Sequence, residues 1–302
     1  MPAPHHPASG SPIRAALLGL ALCTAWSGGA VHAQVAHNWS HVQQHGGGEI
    51  TLKYVASDGF AYHDSNGELT GVTTEIFRDF VAWVEAHYEL DLTVHYQPWE
   101  SWSAFYASVR DADSGTFGMG NVTITEERRD ELAFSPAYMT NIAVLITHTD
   151  TGELMELPEI VDQFSHLEAL AFEGTLHETR LSTFRDAWFP DMRMSYSQSN
   201  NDIIDRVAEA DRYFAYVDVY NYWRARDAGA PLRQHSVGDE PSEQFGFIMP
   251  HGSDWAPVMR EFFEADGGYL ESAQYRDIMQ THLGEGLAQM LDQARSNLSS
   301  GD

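Results

Sequence analysis

Between Asn121 and Tyr138 the chain reads NVTITEERRDELAFSPAY, which sets two threonine hydroxyls and an arginine at the junction of two elements. The run Phe117–Thr125 is apolar and β-branched enough for a buried strand. It ends where Thr125, Glu126 and Glu127 read as the cap and first turn of a helix. Arg128 then lies one turn into that helix. A strand end, exposed N–H groups, hydroxyls at Thr123 and Thr125, and a guanidinium that grips two oxygens together suit a carboxylate held at one place. The plainer alternative is a solvated salt-bridge network, since Arg128 and Arg129 stand beside Glu126 and Glu127 at helical spacing.

The elements that must position these groups alternate between strand-like and helix-like patterns. Ile50–Ala56 reads as a strand, Thr73–Ala86 as an amphipathic helix, Leu92–Tyr96 as a strand and Trp102–Arg110 as a helix. After the Arg128 segment, Ala143–Ile146, Ala169–Phe172 and Tyr213–Val217 are strand-like. Between and after them His177–Ala187, Asp202–Glu209 and Val219–Ala228 are amphipathic. Asp254–Arg295 reads as helices broken at Gly267-Gly268 and around Gly284 to Gly286. This rhythm predicts an α/β fold with mostly parallel sheets, binding ligands beyond the carboxyl ends of the strands.

Residues 1–33 read as a secretory signal: Arg14, an apolar run from Ala15 to Trp26, and Val31-His32-Ala33 before Gln34. Leu20-Ala21-Leu22-Cys23 resembles a lipoprotein box, but Leu22 is too large for the position before the cysteine. Cys23 is the only cysteine, so cleavage after Ala33 leaves about 269 residues with no thiol or disulfide chemistry. That length suffices for two ordinary lobes, and no later apolar run approaches the roughly 20 residues that span a membrane. The net charge is −27 and Lys53 is the only lysine. Such a surface disfavours nucleic acid and suits work in high salt.

Three histidines, His37, His41 and His45, share one face if helical and could then bind zinc, but they fall just past the cleavage site, where termini are commonly disordered. No metal site is expected. Asn38-Trp39-Ser40, Asn121-Val122-Thr123 and Asn297-Leu298-Ser299 fit the glycosylation triplet, which a bacterial-type exported protein gives no reason to use.

Thr123, Ile124, Thr125, Arg128, Phe134, Ser135, Pro136 and Tyr138 stand in register with the signature of the periplasmic amino-acid-binding proteins of ABC importers, solute-binding protein family 3. The chain resembles that family over nearly its whole mature length, through NGELTGVTTEIF at Asn66–Phe77, FEGT at Phe172–Thr175 and YFAYVDVYNYW at Tyr213–Trp223. The resemblance implies a two-lobe type II periplasmic-binding fold, each lobe a mostly parallel sheet flanked by helices. Lobe one is then residues 47–138 plus 247–302 and lobe two 143–241, with hinge crossings at 138–142 and 242–246, and 34–46 is an N-terminal tail.

The same resemblance assigns Arg128 to a ligand carboxylate, with Thr125 as the hydroxyl donor and Thr123 on the same strand face. Asn121 stands where the family has Gly or Ser. Asp218 matches the amine-binding position, although an aspartate there also suits a cap for the helix beginning at Val219. Thr175 falls in the family's Gly-Thr turn, followed by Leu176 and His177 where small or hydroxylic residues are usual. Trp102, Phe60 and Tyr62 fall where the family places aromatic walls, though aromatic residues are also common core.

The function implied is a receptor that captures an amino acid, or a closely related small carboxylate, and presents it to a membrane permease. It needs no cofactor, and a monomer is expected. An exported cyclohexadienyl- or arogenate-type dehydratase on the same fold is the alternative, with Glu173 or Glu178 as the proton donor. A sensor would require a further domain. With an aromatic pocket lacking lysine, the sequence slightly favours polar or apolar ligands over acidic ones.

Overall fold

The sheet that carries the chain is a single hydrogen-bonded surface of ten strands, described in a computed structural model over residues 36–300. The signal segment at 1–33 and Cys23 lie outside the described residues. α1 (Trp39–His45) leads into β1 (Gly47–Val55). A small hairpin of β2 (Tyr62–His63) and β3 (Leu69–Thr70) precedes α2 (Val72–Tyr88), then β4 (Asp91–Trp99), α3 (Trp102–Arg110) and β5 (Thr116–Thr123). α4 (Glu126–Glu131) and β6 (Leu132–Phe134) carry the chain to β7 (Met139–His148). A second alternation runs through α5 (Ile160–Gln163), β8 (Glu168–Phe172), α6 (Leu176–Ala187), β9 (Met194–Ser197), α7 (Asn200–Glu209), β10 (Tyr213–Asp218) and α8 (Val219–Asp227). β11 (Leu232–Gln234) and β12 (Glu240–Pro250) bring it back, and α9 (Ala256–Glu264), α10 (Ala273–Leu283) and α11 (Glu285–Ser300) close it.

The strand order is β4-β1-β5-β12-β7-β10-β8-β9, with β6 on β12 and β11 on β7. β1 is parallel to β4 and β5, and β8 is parallel to β9 and β10, as the alternation predicts. The two middle strands are antiparallel to their neighbours. The crossings expected at 138–142 and 242–246 are not simple connections: they are parts of the long strands β7 and β12, which pair Glu243 with Asn141, Gln244 with Thr140 and Phe245 with Met139.

Burial explains the layers. Ile50, Leu52 and Tyr54 of β1 point to one face, against Ile76, Phe77, Phe80 and Val84 at helical spacing on α2. α2 starts without a side-chain cap. Its first N–H groups instead reach the carbonyls of Gly59 and Phe60, an approach so close that a Cβ on Gly71 would lie 2.4 Å from the Phe60 oxygen. A separate core around Phe164, Leu181 and Phe214 supports the second alternation, and Phe105, Val109, Val122 and Ile248 form a third beneath α3. Tyr275 of α10 donates to the carbonyl of Tyr138 at 2.8 Å, tying the terminal helices to the start of the crossing.

The described part of the 34–46 tail is ordered, contrary to expectation. Asn38 caps α1, Asp254 accepts from Trp39 N–H and Ser40 N–H, and Trp39 and Val42 are buried. His37, His41 and His45 do share a face, but as a stack with ring centroids 4.0 Å apart; no metal-holding group of three or more His, Cys, Asp or Glu occurs among the described residues.

Candidate functional site

One side of the site is built where β5 ends. Thr125 caps α4, its hydroxyl accepting from the N–H of Arg128 at 3.2 Å, and this turns the guanidinium back over the strand. Arg128 Nη1 donates to the Thr123 carbonyl at 3.0 Å, and the guanidinium lies 5.1 Å from the Trp102 ring centre and 5.7 Å from that of Tyr106. Trp102 is fixed by its place just after the Ser101 cap of α3 and by an Nε1–H bond to Gly120 O at 3.1 Å. Burial draws the Arg128 pKa down, and no carboxylate lies within ion-pair distance of it among the described residues. A half-buried cation in that condition retains donors for an oxyanion.

Asn121 on the same strand has φ 52°, a left-handed conformation that asparagine tolerates better than most residues. Its side chain accepts from Tyr138 OH and donates to Tyr220 OH, both at 2.9 Å, so it joins the crossing to α8.

The opposite side is acidic. β10 delivers Asp218 to the start of α8, yet its carboxylate makes no cap hydrogen bond there. Asn141 Nδ2 donates instead to Asp218 Oδ1 at 2.6 Å and to Glu243 Oε2 at 2.7 Å, bridging the two acids from β7. His177 Nε2 stands 3.4 Å from Asp218 Oδ1, its Nδ1 stands 3.2 Å from Arg180 Nη1, and Arg180 pairs with Glu243. Asn141 is fully buried, and Asp218, Glu243 and His177 are between 6% and 8% exposed. Acids at that depth require cations. The Gly174-Thr175 turn opens α6 beside them: Gly174 has φ 76°, the Thr175 hydroxyl accepts from His177 N–H, and Glu178 accepts from Gly174 N–H at 2.8 Å.

Both sides line one cavity of about 660 Å³. It brings together Arg128, Thr123, Asn121, Asp218, Thr175, Leu176 and Trp102. Three expected residues are placed otherwise. The Thr125 hydroxyl is engaged in the α4 cap, Phe60 is core at 1% exposure with its ring 4.4 Å from that of Tyr220, and the Tyr62 hydroxyl bonds His282 Nδ1 at 3.0 Å. Glu173 and Glu178 do not line the cavity either; Glu173 accepts from Gln198. Sequence reasoning missed Glu243, Tyr220, Trp99 and Asn221 in the wall, and took His177 only as a departure from the usual pattern. Tyr220 and Asn221 carried a usable signal, one turn after a recognised strand end. Glu243 carried none, because it stands in a polar run within an expected crossing. Two buried lining atoms, Asn221 Nδ2 and Asn200 Oδ1, have no partner among the described residues.

The curled mixed sheet with its crossing pair, and a cavity between its two alternations, define the type II periplasmic-binding fold. The chain matches the bacterial extracellular solute-binding proteins, family 3, over residues 53–291, and belongs to that family. No curated protein sequence matches it. Among solved structures it is similar to an ABC uptake transporter substrate-binding protein from Streptococcus pneumoniae with bound histidine, at 19% identity and TM-score 0.64, covering 82% of this chain and 96% of that one. An ancestral arginine-binding protein bound to arginine gives 14% and 0.63, over 78% of this chain and 99% of its own. An ancestral amino acid-binding protein described as a precursor of cyclohexadienyl dehydratase gives 16% and 0.61, over 81% and 98%. At such identities the likeness is one of fold.

Proposed function

We propose that the protein is an extracytoplasmic receptor that captures an amino acid, or a closely related small carboxylate, and delivers it to the permease of an ABC importer. The observation that carries this reading is the opposition of charges within one cavity: Arg128, half-buried without a carboxylate at ion-pair distance, faces the buried acids Asp218 and Glu243. A zwitterion satisfies both ends at once. Arg128 takes the carboxylate with Thr123 beside it, and Asp218 takes the ammonium through Oδ2, which no described donor reaches. Trp102 and Leu176 cover the apolar part. Capture then draws residues 143–241 toward residues 47–138 and 247–302 by bending at the paired crossing, and the closed form is what a permease reads. The family's extracellular character supports export through the segment at 1–33, and no helix among the described residues is long and apolar enough to cross a membrane.

The related structures with histidine and arginine bound support an amino acid as ligand. The dehydratase alternative has no nominated acid in the cavity wall. The test is thermal unfolding of the exported chain in high salt with each common L-amino acid and with prephenate and arogenate. A ligand at about 100 times its dissociation constant adds about 2.7 kcal/mol, and the shift disappears in Arg128→Ala. Conversion of prephenate or arogenate, without stabilisation by any amino acid, overturns the receptor reading in favour of the enzyme.

A further inference from the structure

We propose that one face of α8 is a clasp between the lobes: Tyr220, Trp223 and Arg224 fasten residues 143–241 to the first lobe through contacts that bypass the ligand, and so set how long a captured ligand is held. The inference rests on the reading that these lobes part to admit and release an amino acid. Tyr220, Trp223 and Arg224 are spaced i, i+3 and i+4, so they project from one side of α8. Each meets a different part of the chain outside 143–241.

Tyr220 is 2% exposed. Its hydroxyl accepts from Asn121 Nδ2 of β5 at 2.9 Å, which leaves its own proton for Ser57 Oγ, 3.4 Å away in the loop after β1. Asn121 accepts in turn from Tyr138 OH, and Tyr275 of α10 holds the Tyr138 carbonyl, so this contact is braced by the terminal helices. Arg224 Nη2 donates to Asp58 Oδ2 at 2.9 Å, in the same loop as Ser57. Trp223 lies against the start of α11, where a Cβ on Gly286 would stand 3.2 Å from its ring. Of the three residues only Tyr220 lines the cavity. Parting the lobes therefore breaks a buried hydrogen bond, an ion pair and a ring contact, all made between protein atoms. α8 also begins at Asp218, the acid assigned to the ligand ammonium, so the ligand and the clasp hold the same helix. Release waits for both to let go.

The test locks the clasp and then weakens it. The chain from Gln34 onward has no cysteine, so Asp58→Cys with Arg224→Cys supplies a single pair, which a reducible bis-maleimide joins across the position of the ion pair. In the ligand-free chain the linked protein is expected to show a smaller X-ray scattering radius than the same protein after the linker is reduced. With L-arginine and L-glutamine as probes, exchange should be about 100-fold or more slower while the link is intact, because release needs the lobes to open. In the unlinked chain, stopped-flow kinetics of Arg224→Gln should show release up to about fivefold faster with association unchanged, a difference that shrinks in molar salt. Trp223→Ala should speed release by about tenfold or more at any salt. An equal scattering radius before and after reduction, equal exchange in the linked and reduced protein, or unchanged release in both single variants overturns the proposal. If neither amino acid binds, the receptor reading fails for them, and the scattering radius alone upholds or overturns the clasp.

Discussion

On the receptor reading proposed above, Arg128 is a side chain costly to the empty protein and necessary to the occupied one. Its guanidinium is desolvated against Trp102 and Tyr106 with one backbone carbonyl for a partner. Replacing it by alanine is therefore expected to change the ligand-free unfolding free energy by no more than about 1 kcal/mol while removing ligand stabilisation; urea unfolding with and without an amino acid separates the two. Asp218→Ala leaves Asn141 and His177 without their acceptor and removes the ammonium partner. Calorimetry should show about 3 kcal/mol of lost amino-acid affinity, and unchanged affinity would remove Asp218 from the site. Arg128 was legible because strand, cap and arginine lie within eight residues of one another. The network behind Asp218 was not, because Asn141, His177, Arg180, Asp218 and Glu243 come from four elements that meet only after folding.

At the scale of elements, the helical and flanking-strand patterns were readable from periodicity, and the bounds of α3 agree with the sequence reading. What escaped were the short strands β2, β3, β6, β9 and β11 and, with more consequence, β12, whose outer half, Glu240–Gln244, is polar and reads as loop; cross-strand pairing with β7, a property of no local window, makes it strand. Phe60 was misassigned for a related reason: its carbonyl is needed by α2, which draws its ring into the core. β7 is also held by His235, a buried residue whose Nε2 bonds Thr147 and whose Nδ1 accepts from Leu154 N–H. Burial, helped by the Arg233 charge, lowers the His235 pKa from 6.5 to about 4. With the folded value below the unfolded one, the native state holds fewer protons between them. This contribution to stability is full above the unfolded value and is lost as pH falls toward the folded one, by up to about 1.4 kcal/mol per unit. Chemical unfolding across that range should show the loss, and His235→Gln should flatten it.

For the whole molecule, a charge of −27 with a single lysine leaves little to offset self-repulsion except salt. The midpoint of thermal unfolding is expected to rise by several degrees between low and molar salt, and a flat response would detach the composition from any saline setting. The family resemblance divided the chain into two lobes, but did not show that their sheets are continuous through β7 and β12. The register of that pair has a consequence for how such a chain can be assembled from pieces. Asn141 faces Glu243 and, across a register shift, Ala143 faces Glu240, so everything between Ala143 and Glu240 leaves and re-enters at one point of one ladder. Substituting Asn-Gly for residues 144–239 would close the shortened β7 and β12 as a tight hairpin beyond the Ala143–Glu240 pair. The second alternation therefore has the form of a cassette inserted into a hairpin of the first, one that a lineage could gain, lose or exchange by two cuts at adjacent positions in space.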